Sequence, residues 1–112
     1  MKQIEHDEIK LRLGDMLFTW DDEKEKINFR KHDVDFKTAA AVFMDSYVYI
    51  ESNSIDDSTG EERFDAIGMV GGNKMVFVVY VERITTNSND IIRIISARKA
   101  EREERKRYVN GY

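Results

Sequence analysis

Between Arg93 and Arg107 the sequence places seven Lys or Arg residues against three Glu. Arg98, Arg102 and Arg105 fall on one face if this stretch is helical, and arginine grips phosphate through paired N–H donors. The same residues also suit a solvated helix held by Glu101–Arg105 and Glu103–Arg107 pairs, or a dock for an acidic protein. His32 is a second candidate, because imidazole titrates near neutrality and can take or give a proton. It also stands where a helix should end, and there the dipole alone stabilises a cation. Arg63 is a third. It opens a strand directly after an acidic loop, where it can clamp phosphate or pair with Glu61 or Asp65. Arg93 sits among Ile91, Ile92, Ile94 and Ile95 on another strand. A two-arginine site follows if both strands present their cations to one face.

The elements that must position these residues are readable in outline. Ile9, Leu11 and Leu13 alternate with polar residues, and Gly14-Asp15 before Met16–Trp20 suggests a hairpin. Asp21 or Asp22 can cap a helix to His32, with Asp22 and Glu25 resembling a capping box and Asp33 suited to the turn that ends it. Asp35 can cap a second helix, Phe36 to Met44, whose Phe36, Ala40 and Phe43 form an apolar stripe. Trp20 reads as a core anchor. Strands are expected at Tyr47–Glu51 and Glu61–Met69. A Gly71-Gly72-Asn73 turn leads into Met75–Val81, which is apolar on both faces and so central. A polar loop from Arg83 to Asp90 precedes a strand from Ile91 to Ser96. Ser96 then caps a closing helix, Ala97 to Tyr108. Short connections imply an antiparallel meander. The fold class is α+β, with two N-terminal helices on one sheet face and a charged C-terminal helix. That helix has a thin apolar face, which suggests weak attachment.

Composition narrows the classes. The chain has 112 residues, one domain's length, with a net charge of −4 and 36% charged residues. An acidic balance counts against an ordinary nucleic-acid binder, yet the charge is two-sided: Glu51–Asp65 carries six Asp or Glu against one Arg. There is no cysteine, which fits a reducing cytoplasm. The two histidines lack metal-ligand spacing, so no metal site and no cofactor are expected. No membrane span or signal peptide is expected.

Phe18-Thr19-Trp20-Asp21, Lys24, Asn28, Lys31-His32, Val34, Phe36, Ala40 and Phe43 resemble the opening of the BrnT family, the toxins of BrnT/BrnA pairs. Gly60-Glu61-Glu62-Arg63-Phe64, Ile67-Gly68, Val79-Tyr80, Arg93-Ile94-Ile95-Ser96-Ala97-Arg98, Ala100, Glu104 and Tyr108 continue that pattern in order. The sequence departs from the family at Asp33, where glycine is usual. The resemblance covers Phe18 to Tyr108. It divides the chain into an N-terminal extension, 1–17, comprising a tail and an edge strand, and one toxin domain, 18–112.

The resemblance implies a RelE/ParE-like fold and a ribonuclease that arrests translation. It implies neutralisation by a ribbon-helix-helix antitoxin, with two toxins on one antitoxin dimer. Carried over residue by residue, it implies catalytic roles for His32, Glu62, Arg63, Arg93 and Arg98. His32 or Glu62 would move protons and the arginines would stabilise phosphate. Lys24 and Tyr80 would contact substrate, joined by Arg102 and Arg105 from the basic stripe. RNA brings its own 2′-hydroxyl nucleophile, so the expected reaction needs no metal. Two other readings use the same residues: a toxin that blocks a protein target without catalysis, and an inactive binding module.

Overall fold

The computed structural model describes residues 8–84 and 90–111. The chain runs through β1 (Leu11–Leu13), β2 (Met16–Thr19), α1 (Asp22–His32) and α2 (Phe36–Ala40), which continues as a 3₁₀ turn at Ala41–Met44. Then follow β3 (Tyr49–Ile55), β4 (Glu62–Val70), β5 (Lys74–Ile84), β6 (Asp90–Lys99) and α3 (Arg102–Asn110). The strands form one sheet in the order β1-β2-β6-β5-β4-β3. β3 to β6 are the expected antiparallel meander, and β5 lies inside it. The turn at Gly14-Asp15 closes an antiparallel hairpin with Leu13 opposite Met16. β2 then pairs with β6 in parallel, so the second strand of the chain lies beside the last. The expected tail and most of the Arg83–Asp90 loop lie outside the described residues.

Local chemistry explains the helix ends. Asp21, not Asp22, is the N-cap of α1, accepting the Glu23 and Lys24 N–H groups at 2.9 and 3.1 Å. Glu25 does not close a capping box; its carboxylate accepts the Phe36 N–H at 2.9 Å and ties α1 to α2. Asp33 ends α1 at φ 59°, the left-handed conformation that aspartate tolerates better than most. Asp35 caps α2 through the Thr38 N–H.

The core lies between α2 with its 3₁₀ turn and one face of the sheet. Phe18, Phe36, Val42, Val76, Val78, Tyr80 and Ile94 are buried there. Gly68 permits the close approach of this layer, since a Cβ at that position would stand 2.9 Å from both the Val42 Cβ and its carbonyl oxygen. We call the other side of the sheet the open face. Among the described residues a smaller cluster of Ile67, Phe77 and Ala100, with Tyr49, Met75, Val79 and Tyr108 against it, covers part of it.

Several boundaries differ from the sequence reading, among them β3, which runs on to Ile55 into the expected acidic loop, and the end of β6 matters most. Ser96 does not begin a helix. β6 continues to Lys99, which pairs with Val76, and the Ala100 N–H still reaches the Met75 carbonyl. α3 starts five residues later, with Glu101 as N-cap and Glu104 completing a capping box. The cause is tertiary. Ala97 is buried opposite Val78, and its N–H and C=O, which point away from β5, are both taken by the side chain of Asn28. Arg98 and Lys99 are therefore strand residues and do not share a helical stripe with Arg102, Arg105 and Lys106.

Asn28 is also the one buried residue of α1, and its Nδ2 donates to the Val34 carbonyl as well. Asn28→Leu would orphan three backbone groups at once, at a cost of about 1–3 kcal/mol for each one left buried. Urea denaturation of this variant should show a loss well beyond that of an exposed α1 substitution such as Lys26→Ala.

Candidate active site

Arg63 and Arg93 lie in one cross-strand row. Arg63 is opposite Val81, and Val81 is opposite Arg93. Residues directly opposite one another point to the same side, so both guanidinium groups belong to the open face, roughly 10 Å apart at the backbone by two strand spacings. Arg63 is exposed and makes no ion pair among the described residues. Arg93 is half-buried beside Asp21, whose carboxyl is held below its usual range first by the Lys24 N–H, with the Arg93 charge assisting.

Beside this row α1 crosses the flank of β6. β2 pairs with β6 only as far as Arg93, and from there α1 takes its place through Asn28 and Ala97. A β-bulge sets Ile95 and Ser96 together against Val79, on the open face. Between them and α1 lies a hollow of about 240 Å³ lined by Lys24, Ile27, Asn28, Lys31, His32, Ile95 and Ser96. Lys24 and His32, both expected site residues, meet here. Lys31, Ile95 and Ser96 were not expected to line it. The signal for them lay in the spacing of Lys24, Asn28 and Lys31 at i, i+4 and i+7, a polar stripe where a packed helix would carry an apolar one.

Arg98 is also on the open face, but it is already engaged. Its guanidinium lies 4.4 Å from the Phe77 ring centroid and makes two parallel bonds to Glu104, at 2.8 and 2.7 Å. Burial pushes the Glu104 pKa up, yet the bonds from Arg98 and the Glu101 N–H outweigh it, and the carboxyl stays below its ordinary range. Arg107 pairs with Glu51, and the Tyr108 hydroxyl donates to Asp45 at 2.6 Å. α3 is thus fixed by charged and polar bonds, contrary to the weak attachment its thin apolar face suggested. Asp65 is buried in the row between these groups and the hollow; burial raises its pKa, and the Asn53 amide at 2.7 Å partly offsets this.

Other expected residues are placed elsewhere. Glu62 precedes Arg63 and so points to the opposite face, where its carboxylate accepts the Ser52 hydroxyl at 2.6 Å. Strand alternation separates it from the arginines. Tyr80, the expected substrate contact, is placed in the core, 2% exposed, edge-on to Phe43 and stacked near Phe64. Burial pushes its hydroxyl well above the usual range. Arg102 is exposed on α3. Arg105 donates to the Ala100 carbonyl at 2.9 Å and lines a separate cavity with Lys74 and Lys99. Among the described residues no group of three His, Cys, Asp or Glu could hold a metal ion, and no helix is long and apolar enough to cross a membrane.

Comparison with known proteins gives the family and the fold. Residues 20–104 match the family model described as the ribonuclease toxin, BrnT, of type II toxin–antitoxin systems. The fold resembles the crystal structure of the Brucella abortus ribonuclease toxin BrnT, with a TM-score of 0.56 and 24% identity, covering 74% of this chain and 94% of that one. No curated protein matches the sequence.

The Arg98–Glu104 bond yields a pH signature. A carboxyl whose folded pKa is depressed adds stability above its unfolded pKa, and that stability is lost as pH falls through the folded value. Glu104→Gln should cost about 1.5–3 kcal/mol near pH 7. Denaturant titrations should show the gap between variant and parent closing below the ordinary glutamate range.

Proposed function

The chain belongs to the BrnT family of ribonuclease toxins of type II toxin–antitoxin systems, and from that premise we propose that it is an endoribonuclease whose open sheet face cleaves RNA by attack of the 2′-hydroxyl. The observation that carries this reading is the shared row of Arg63 and Arg93 beside the hollow that holds Lys24 and His32. The 2′-oxygen attacks the adjacent phosphorus, the 5′-oxygen leaves, and a 2′,3′-cyclic phosphate is formed. Such a reaction needs the nucleophile aligned, its proton removed, the negative phosphorane stabilised and the leaving oxygen protonated. Arg63 and Arg93 supply the positive charge for the phosphorane. His32 is the proton carrier, because Glu62 faces the other side of the sheet. Lys24 steadies the substrate strand. RNA provides the nucleophile, so the chemistry proceeds without a metal ion.

Arg98 has a different part in this reading. Glu104 already fills its two-pronged donor site, so Arg98 holds α3 to the sheet and leaves the phosphate to the other arginines. Arg102 and Arg105 extend the positive surface along the outgoing strand. The domain proper spans 18–112, and the 1–17 segment adds β1 at the sheet edge. The target is RNA of the cytoplasm.

The antitoxin is proposed to be a ribbon-helix-helix dimer carrying two toxins, with acidic side chains laid over Arg63, Arg93 and Arg102. Charge pairing of this kind speeds association and is weakened by salt. Arg93→Glu should slow antitoxin binding and flatten its salt dependence in a biosensor assay; unchanged rates would place the antitoxin elsewhere.

Arg63→Ala and Arg93→Ala should each lower RNA cleavage by about 10²–10³-fold, the usual effect of losing one transition-state donor. The thermal unfolding of Arg63→Ala should match the parent. Products should carry 2′,3′-cyclic phosphate ends and chelator should leave the rate intact. Product strands with 3′-hydroxyl ends, or an Arg63→Ala variant as active as the parent, would refute the mechanism.

A further inference from the structure

Resting on the ribonuclease reading, we propose that the hollow between α1 and β6 is a subsite for one RNA base, and that it selects guanine at the nucleotide 5′ of the cleaved bond. Its volume of about 240 Å³ is below the ~300–1,000 Å³ of pockets for drug-sized ligands, so it takes a single small group. The lining favours a base over a phosphate. Ile27 and Ile95 are lining residues, and an apolar wall suits the face of an aromatic ring but wastes the hydrogen bonds of an anion. Ile27 is 46% exposed, although it sits on a helix beside the sheet.

The polar rim then decides which base. The Asn28 amide is saturated, its nitrogen by Val34 and Ala97 and its oxygen by the Ala97 N–H. It forms a wall and reads nothing. Lys31 and Ser96 make no side-chain hydrogen bond or ion pair among the described residues. Ammonium and hydroxyl donors match an edge rich in acceptors. Guanine, with O6 and N7 adjacent, presents such an edge, and lysine is among its usual readers.

The position along the strand follows from spacing. Arg93 precedes Ile95 and Ser96 by two and three residues on β6, a separation of about 7–10 Å by strand rise and on the scale of a single nucleotide. A base seated against Ile95 leaves its 3′-phosphate toward Arg93, with its ribose at the Lys24 end of the hollow, since α1 starts beside Arg93 and passes Ala97 at Asn28. The 2′-hydroxyl of that ribose is the nucleophile. The subsite therefore serves to place the attacking oxygen as well as to choose the sequence.

The test uses short RNAs that differ only at the nucleotide 5′ of the cleaved bond. The parent should prefer guanine there by about ten-fold in kcat/KM. Lys31→Ala and Ser96→Ala should each flatten that preference without changing the product ends. A parent without base preference at this position, or variants that both keep the parent's preference, would overturn the proposal. A second measurement does not depend on cleavage. Guanosine 3′-monophosphate titrated into ¹⁵N-labelled protein should shift the amides of Ile27, Ile95 and Ser96, more than cytidine 3′-monophosphate does and less in Lys31→Ala. Shifts confined to Arg63 and Arg93 would overturn the subsite. Guanosine-specific shifts in the hollow of a protein that cleaves no RNA would instead refute the ribonuclease reading and leave the base site standing.

Discussion

One side-chain amide joins the two halves of this molecule. Asn28, 7% exposed, presents a donor and an acceptor to the N–H and C=O of Ala97, much as a neighbouring strand would. β2 is too short to cover β6 beyond Arg93, and a buried strand edge with vacant hydrogen bonds is costly. The asparagine removes that cost and fixes where α1 can lie. α1 has almost no apolar surface committed to the core, since Asn28 is its single buried residue. Hydrophobic packing alone would leave its position and rotation loosely determined. The polar contact sets both, and with them the placement of Lys24, Lys31 and His32 over the bulge at Ile95 and Ser96.

The opposite end of the open face follows the same logic. α3 is charged nearly all round, and a helix of that composition does not dock by burial. It docks by pairing: Arg98 with Glu104, Arg107 with Glu51, Tyr108 with Asp45. These pairs consume cations that composition would count as available to an anionic ligand. Among the described residues Arg63, Lys31 and Arg102 enter no such pair. The acidic total charge is thereby compatible with cations left on the open face, because many carboxylates are spent on structure or gathered in the acidic segment around β3 and its loop to β4.

Much of the fold was legible because it rests on local signals. The Gly14-Asp15 hairpin, the caps at Asp35 and Asp33, the two-sided apolar run of β5 and the alternation that sets Arg63 apart from Phe64 all involve near neighbours in sequence. The misread features rest on contacts between distant segments. Ser96 is a good cap followed by a stretch without helix breakers, yet pairing with β5 and the bond to Asn28 keep Ala97 extended. Nothing local marks the parallel pairing of β2 with β6, or the bulge that turns Ser96 toward α1. The face shared by Arg63 and Arg93 could be named only as a condition, because register between strands is a property of the assembled sheet. Tyr80 was assigned to substrate by resemblance, and its place between Phe43 and Phe64 is a matter of core packing.

The closure of the sheet between β2 and β6 has a consequence for when the open face forms. Asn28 and Ala97 are separated by 69 residues, and β2 also finds its partner only in β6. Long-range pairings of this kind form late, because chain closure must precede the contacts that reward it. During synthesis, residues emerge at roughly 5–20 per second, so α1 and β2 wait several seconds for the strand they need. Over that interval the hollow has one wall and the arginine row one member. The open face with its row of arginines and its hollow therefore comes into being only after the last strand is in place.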